Sequence, residues 1–260
     1  MKSMMVGLVG LAALAGTAGA SDIMAGDLVS VGHANIGEAT TFASDRSNNP
    51  YYDNTVNFLG QAFANGGAQN QSGNTITKMV CDDLEGIHPF FVGKSVTSIT
   101  FSVANLNATA VNCRARVRFY AEDGAGGGPG TYITGYSFNA FSFSAGVTNL
   151  TGNLGAGWVL PTTKLWAGIT FDNNTGATGA TEAQLNNMGV GLFDPPVWGT
   201  SQDRLFGTSA AGSFVGNNPA GSQFNFGGSP HANAGWKLIP TPGAAALLGL
   251  AGIAASRRRR

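Results

Sequence analysis

Carboxylates are the residues of this chain whose types and spacing come closest to a catalytic pattern. Asp82, Asp83 and Glu85 lie in one short stretch, and Glu122 and Asp123 are adjacent. Glycoside hydrolysis uses two carboxyl groups that face each other across a cleft. Neighbouring residues of a strand point to opposite sides of a sheet, so Glu122 and Asp123 are predicted to be a solvated strand end. A catalytic pair stays open as an alternative, because it depends on whether the fold brings two acids together.

The histidines and serines do not form a known metal-binding or nucleophilic pattern. His33, His88 and His231 lack the H-x-x-x-H spacing that places two imidazoles on one metal ion. The G-x-S-x-G sequence of the α/β-hydrolases does not occur. We therefore predict no catalytic residue, no metal ligand and no cofactor.

Two glycine-containing segments resemble ion-binding loops only in composition. Residues 124–130, GAGGGPG, lead into a predicted strand, whereas a phosphate loop opens into a helix whose first amides hold the anion. Residues 172–182, DNNTGATGATE, offer oxygen ligands at Asp172, Asn174 and Thr178, but the glycine and the final carboxylate are out of register with an EF-hand. We predict turns at both segments, with calcium at the second as the alternative.

The elements that must position these side chains are short runs of alternating apolar and polar residues. In residues 98–105, SITFSVAN, the apolar side chains share one face of a strand. In residues 112–120, NCRARVRFY, Cys113, Ala115, Val117 and Phe119 face inward while Arg114, Arg116 and Arg118 face outward. Further strands are predicted at 131–144, with a break between Ala140 and Phe141, and at 163–171, 187–193, 222–228 and 232–240.

Composition places the chain in the all-β class. It has 39 glycines among 260 residues and only 11% charged residues, and no internal repeat is visible. We predict a single domain over residues 21–239, built as a jelly-roll-like antiparallel β-sandwich.

One tryptophan lies out of phase with the apolar face of its strand. In residues 163–171, Leu165, Ala167, Ile169 and Phe171 take the core face, which turns Trp166 to the polar side. An indole on the surface is a rigid platform for stacking on a sugar ring. Trp166 is therefore a candidate glycan platform, and the alternative is that a loop or a second sheet covers it.

The first twenty residues have the pattern of a secretory signal. Residues 1–20 carry an early Lys2, then an apolar stretch, and end in Ala18-Gly19-Ala20 before Ser21. We predict a signal helix that is cleaved between Ala20 and Ser21, so that the mature protein is exported.

The last twenty-one residues, 240–260, combine a proline motif, an apolar run and a basic end. Pro240-Thr241-Pro242 precedes residues 243–256, which as a helix would be about 21 Å long against about 30 Å of bilayer hydrocarbon. The cluster Arg257, Arg258, Arg259 and Arg260 resists translocation and stays on the cytoplasmic side. The segment is therefore predicted to be a marginal membrane anchor with the body of the protein outside.

This pair of end segments resembles the PEP-CTERM sorting arrangement of Gram-negative bacteria, although Pro-Thr-Pro stands where that family has Pro-Glu-Pro. The family's specific motif covers only the C-terminal segment and does not extend to the body of the chain. The resemblance implies a sorting tail over residues 240–260, made of the proline motif, a hydrophobic helix and the arginine cluster. It further implies transient insertion in the inner membrane and processing by an exosortase, a membrane protease. It also implies an association with extracellular polysaccharide and biofilm matrix at the cell surface.

Charge and cysteine usage fit an exported body. All 14 acidic residues lie between the end segments, whereas five of the 14 basic residues, Lys2 and Arg257–Arg260, lie within them. An acidic body argues against a nucleic-acid partner. Export favours a disulfide between Cys81 and Cys113, and two buried free thiols are the alternative.

Three functions remain open from the sequence. The first is a non-enzymatic surface or matrix protein that associates with exopolysaccharide. The second is a carbohydrate-active enzyme that uses a carboxylate pair, and the third is a purely structural component of the cell envelope.

Overall fold

The computed structural model describes residues 22–43 and 49–240, and it is an all-β protein. Its helices are α1 (Glu182–Asn186) and two short 3-10 helices, Pro89–Phe91 and Ala125–Gly127. In chain order the strands are β1 (Ile23–Met24), β2 (Leu28–Ala34), β3 (Thr40–Thr41), β4 (Tyr52–Asp53), β5 (Asn57–Ala64), β6 (Gln69–Gln71), β7 (Asn74–Ile76), β8 (Val80–Leu84), β9 (Ser95–Asn105), β10 (Val111–Ala121), β11 (Tyr132–Ser137), β12 (Phe141–Phe143), β13 (Gly146–Val159), β14 (Leu165–Asp172), β15 (Met188–Phe193), β16 (Leu205–Thr208), β17 (Gly221–Phe224), β18 (Asn233–Ala234) and β19 (Trp236–Pro240).

The strands form two sheets that pack as a sandwich. Sheet 1 has the order β1-β11-β10-β14-β8-β16-β17, with β12, β7 and β6 attached at its side. Sheet 2 has the order β2-β13-β9-β15-β5-β3, with β19, β4 and β18 attached. Among the described strands, only β1 and β11 pair in parallel. The antiparallel prediction therefore holds for the main body of both sheets.

The core lies between the sheets, on the faces that alternation predicts. In sheet 2, Ile99, Phe101 and Val103 of β9 are buried in this core. In sheet 1, the inward residues of β10 and β14 are buried against them: Cys113, Ala115, Val117, Phe119, Leu165, Ala167, Ile169 and Phe171. Burial of these apolar side chains contributes about 25 cal/mol for each Å² removed from water, which makes the inter-sheet core the main stabilising layer.

A second apolar layer covers the outer face of sheet 1. It consists of eight buried residues, here called the outer cluster: Ile76, Met79, Cys81, Tyr120, Trp166, Phe206, Ala211 and Phe214. Gly168 permits this packing, because a Cβ at that position would lie 2.7 Å from both the Cys81 and the Met79 sulfur atoms. The segments that follow β10 and β16 cross this face and close it from solvent.

Several predicted strands are present, and others were missed. The predicted break near Phe141 separates β11 from β12, and residues 187–193 and 232–240 form β15 and the pair β18 and β19. The strand predicted at 222–228 is shorter in the structure, where β17 ends at Phe224. The missed elements include the longest strand, β13, and the eight strands before residue 85.

The end of the body extends one residue beyond the predicted domain limit at Ile239. Pro240 belongs to β19 and is paired with Val96 of β9. The predicted signal helix, residues 1–20, and the rest of the predicted sorting segment, residues 241–260, lie outside the described residues. Within the described part of the chain, none of the helices is long and apolar enough to span a membrane.

Candidate functional site

The carboxylates of the two acidic stretches meet around one arginine. The Nη2 atom of Arg204 lies 3.2 Å from Asp83 Oδ2, 3.0 Å from Glu85 Oε1 and 2.5 Å from Glu122 Oε1. Lys164 Nζ lies 3.3 Å from the same Glu85 oxygen. The fold therefore brings together three acids whose convergence the sequence left open.

Strand order explains this convergence. Asp83 is on β8, and Glu85 lies just beyond the end of that strand. Glu122 directly follows β10, which is separated from β8 only by β14. Arg204 directly precedes β16, the neighbour of β8 on its other side. Sequence reasoning missed Arg204 because a single arginine in a polar loop carries no pattern of its own.

Trp166 lies beneath this charged cluster, and the prediction that it is an exposed glycan platform is wrong. Alternation places it correctly on the outer face of sheet 1, but its exposed fraction is 0%. Its Nε1 donates to the Gly127 carbonyl at 3.0 Å, and the Arg204 guanidinium lies 5.0 Å from the ring centroid. The alternative in which a loop covers the indole is the correct one, and the GAGGGPG turn supplies part of that cover.

Burial changes the acid strength of Asp83. Desolvation raises its pKa to about 6, and the nearby Arg204 opposes the shift. Ser201 Oγ also donates to Asp83 Oδ1 at 3.0 Å, which stabilises the charged form. Asp83 therefore titrates at a higher pH than an ordinary aspartate but remains paired.

The adjacent Asp82 has a different environment because it points to the other side of β8. Val80 and Leu84 share its face and belong to the inter-sheet core. Its exposed fraction is 0%, and burial together with the neighbouring Asp83 carboxylate raises its pKa well above the ordinary value. Burial therefore favours the neutral form of the Asp82 carboxyl group in the core.

The arrangement around Arg204 is an ion-pair cluster. Each of the three converging carboxylates accepts a charge-assisted hydrogen bond from the same guanidinium nitrogen. An acid and base pair for glycoside hydrolysis instead needs one carboxyl that holds a proton and one that is available to water or the sugar. The cluster fits the role of fixing β8, β10 and β16 across the outer face better than it fits catalysis.

A second ion-pair cluster lies on the same outer face, along β10. Arg114 binds Asp172 through two nitrogens, at 2.9 and 3.0 Å. Arg116 and Arg118 both contact the Asp22 carboxylate, at 2.5 and 2.8 Å. The three arginines face outward as predicted, yet Arg118 is 1% exposed because the chain around Asp22 and Phe214 covers it.

The predicted disulfide between Cys81 and Cys113 is wrong in this structure. Both cysteines are free and buried. Cys81 belongs to the outer cluster, whereas Cys113 faces the inter-sheet core. Gly168 of β14 pairs with Cys81 on one side and with Arg118 of β10 on the other. Cys113 lies five residues before Arg118, which is about 16 Å along β10. The Cα atoms of a disulfide lie within about 7 Å of each other. The alternative of two buried free thiols holds.

The two loops that resembled ion-binding segments are turns. The Gly124 amide donates to the Gly128 carbonyl at 3.0 Å, which closes the first loop on itself. In the second loop, the side chain of Asn173 accepts from the backbone amides of Thr75 and Gly176. Asp172 is engaged by Arg114, so its carboxylate serves the sheet and not a calcium ion.

The histidines are separated in the structure. His33 Nδ1 lies 3.0 Å from Thr148 Oγ1 on sheet 2, and His88 Nδ1 accepts from the Phe90 amide at the start of a 3-10 helix. Within residues 22–43 and 49–240, no group of three or more His, Cys, Asp or Glu side chains is placed to hold a metal ion.

Two surface depressions lie beside the Arg204 cluster. The first has a volume of about 430 Å³ and runs from Ala125 to Gln223 over the buried Phe206 ring. The second has a volume of about 450 Å³ and is lined by Arg204, Gln223 and His231. Gln223 borders both, so the two depressions adjoin along the β17 edge of sheet 1, and together they are called the groove. No local sequence pattern predicts this groove, because its lining comes from four separate segments, residues 125–129, 202–206, 218–225 and His231.

The predicted processing residues, with one exception, lie outside the described part of the chain. These are Ala18, Ala20, Ser21, Thr241, Pro242 and Arg257 to Arg260, while Pro240 is in β19. Their roles stay predictions. No protein-family model, no curated protein and no solved structure matches this chain.

Proposed function

We propose that the protein is exported, is processed by an exosortase-type membrane protease, and associates without catalysis with extracellular polysaccharide at the cell surface or in the biofilm matrix. Its partners would be the export machinery, the protease and the polysaccharide. In this proposal the signal helix of residues 1–20 and the apolar sorting helix of residues 243–256 flank the sandwich. The C-terminal helix anchors the chain in the inner membrane only until it is processed.

The proposal includes a jelly-roll-like topology for the body. Successive long strands alternate between the sheets: β8, β10 and β14 belong to sheet 1, whereas β9, β13 and β15 belong to sheet 2. Such crossing connections are typical of jelly rolls and related Greek-key sandwiches. A rigid two-sheet body of this type is a common scaffold for binding at the cell surface.

The observation that carries the non-enzymatic part is the pairing of the converging acids. Asp83, Glu85 and Glu122 all bind Arg204, and Lys164 also contacts Glu85, so each of the converging carboxylates is already held in an ion pair. The export part rests on the sequence of the two end segments. Together they favour a protein that is delivered to the cell surface and binds or supports the polysaccharide there.

Fractionation of the producing cells tests this function. We expect the protein in the extracellular matrix fraction, co-sedimenting with polysaccharide, and we expect its release when that polysaccharide is enzymatically degraded. A protein that stays in the cytoplasm would contradict the proposal. Hydrolysis of the polysaccharide by the wild-type protein, lost in Glu122→Gln, would favour the carbohydrate-active enzyme instead.

A purely structural envelope component is a second candidate, favoured by one edge of sheet 2. Edge strand β2 exposes Val29 and Val31, with exposed fractions of 61% and 57%. An apolar edge strand is a template for pairing with another chain. Sedimentation of the exported protein as an oligomer that Val31→Lys dissociates would favour this candidate, and a monomer would oppose it.

A further inference from the structure

The groove beside Arg204 is built on a fixed framework. Gln223 Nε2 donates to the Gly126 carbonyl at 3.0 Å, which holds β17 against the 125–129 turn. Asp203 accepts from the backbone amides of Phe226 and Gly227, at 3.2 and 2.7 Å. These bonds fix both walls, so a ligand would meet a largely preformed surface.

The lining of the groove combines planar polar groups with aromatic rings. Side-chain amides come from Gln202, Gln223 and Asn225, and each amide carries both donor and acceptor atoms. Phe206 lies in the wall of the first depression. Phe224 lies in the second and is backed by Phe63, with ring centroids 5.3 Å apart. Amides that match paired hydroxyls, next to rings that match the C–H face of a pyranose, are the chemistry of sugar recognition.

The charge of the groove argues against an acidic ligand. Arg204 is the strongest cation of the lining, and it already contacts three carboxylates. Asp203, the carboxylate of the lining, accepts from two backbone amides. An acidic ligand would therefore meet a cation that is already engaged and a surplus of carboxylates, whereas hydroxyl groups need no counter-charge.

We propose that this groove binds a neutral polysaccharide chain, with Gln223 at the point where two successive sugar units meet. The inference rests on the proposed function and gives that function a site. Two depressions in series suit a linear chain of linked units better than one small molecule. A peptide that added to the β17 edge would instead bind through backbone hydrogen bonds and would need little from the side-chain amides.

The test compares two double variants of the exported protein by electrophoresis in gels that contain a soluble polysaccharide. The groove variant is Gln223→Ala with Asn225→Ala. The control is Gln61→Ala with Asn112→Ala, which removes the same two residue types from exposed positions on β5 and β10. Dextran, xyloglucan and galactomannan are the neutral probes, and alginate is the acidic probe. A thermal midpoint for each variant shows that it is folded.

We expect at least one neutral chain to retard the wild-type and control proteins, and the groove variant to bind about tenfold more weakly, as loss of one or two hydrogen bonds predicts. Equal retardation of a folded groove variant would place the glycan elsewhere and overturn the inference, while the matrix association expected of the proposed function would stand. Retardation by alginate alone, or by none of the four chains, would also overturn it. Absence from the matrix fraction would count against the proposed function itself.

Discussion

Both faces of sheet 1 contain buried side chains, but the two faces are built from different residues. The inner face is apolar, and alternation along β10 and β14 identifies nearly all of it. The outer face carries Arg118, Asp172 and Trp166. The strand pattern predicts that these residues face solvent, yet each is at most 1% exposed. Segments from distant parts of the chain cover them, including Asp22 and Phe214.

This difference shows what a strand pattern can and cannot predict. Alternation reports on which side of a sheet a side chain lies, because that depends only on local backbone geometry. It does not report whether another segment covers that side, because cover depends on contacts that are remote in sequence. Trp166 and Gly127, for example, are joined by a hydrogen bond across 39 residues.

The largest expected effect comes from removing the indole of the outer face. Trp166→Ala should lower the free energy of unfolding by about 3 to 5 kcal/mol, because removing a buried tryptophan leaves a cavity and takes the shorter of two hydrogen bonds from the Gly127 carbonyl. Chemical denaturation measures this loss. The control is Trp198→Ala, whose side chain is 39% exposed and which should change stability by less than about 1 kcal/mol. Equal effects of the two substitutions would contradict a sealed outer face.

The next largest effect concerns the ion-pair cluster. Arg204→Met should cost about 2 to 3 kcal/mol at pH 7, because Asp83, Glu85 and Glu122 would repel one another without the guanidinium. The cost should shrink at about pH 5, below the raised pKa of about 6 of Asp83, because protonated Asp83 no longer repels the other two carboxylates. Denaturation at both pH values measures it, with Lys94→Ala as an exposed control. A cost that does not change with pH would mean that packing on Trp166, and not charge, is what Arg204 contributes.

A smaller, pH-dependent effect is expected from Asp82. Its pKa is raised in the folded state, so the folded protein binds more protons than the unfolded chain above about pH 4, and stability falls as the pH rises. The slope from this group is at most about 1.4 kcal/mol for each pH unit. Asp82→Asn, which stays neutral, should flatten the profile between about pH 5 and pH 7 and be more stable than the wild type at pH 7. Parallel profiles of the two proteins would show that Asp82 is ionised in the fold.

The smallest effect is expected from reducing agents. Cys81 and Cys113 are free on opposite faces of sheet 1, so a reductant should leave the thermal midpoint unchanged. Denatured, unreduced protein should give two titratable thiols per chain. A titration that finds none would show a disulfide and would require a different arrangement of β8 and β10.

Sequence reasoning predicted the fold class and the inner core but not the candidate site. β9, β10 and β14 have regular alternation, so their core residues were identifiable one by one. β13 was not predicted, because its segment, GVTNLTGNLGAGWV, is rich in glycine and asparagine and lacks alternation of apolar and polar residues. Gln223 lies in β17, and Arg204 and Asn225 lie just outside β16 and β17; their meeting point is set by strand order, which no local pattern encodes.

The central claim is that the protein is exported and processed at both ends. The intact mass of the exported protein tests this claim most directly, because it shows where the mature chain begins and ends. We expect a chain that begins at Ser21 and lacks Arg257 to Arg260. It must retain Asp22, whose carboxylate binds Arg116 and Arg118. A membrane-bound species that keeps both residues 1–20 and the arginine cluster would contradict export with processing.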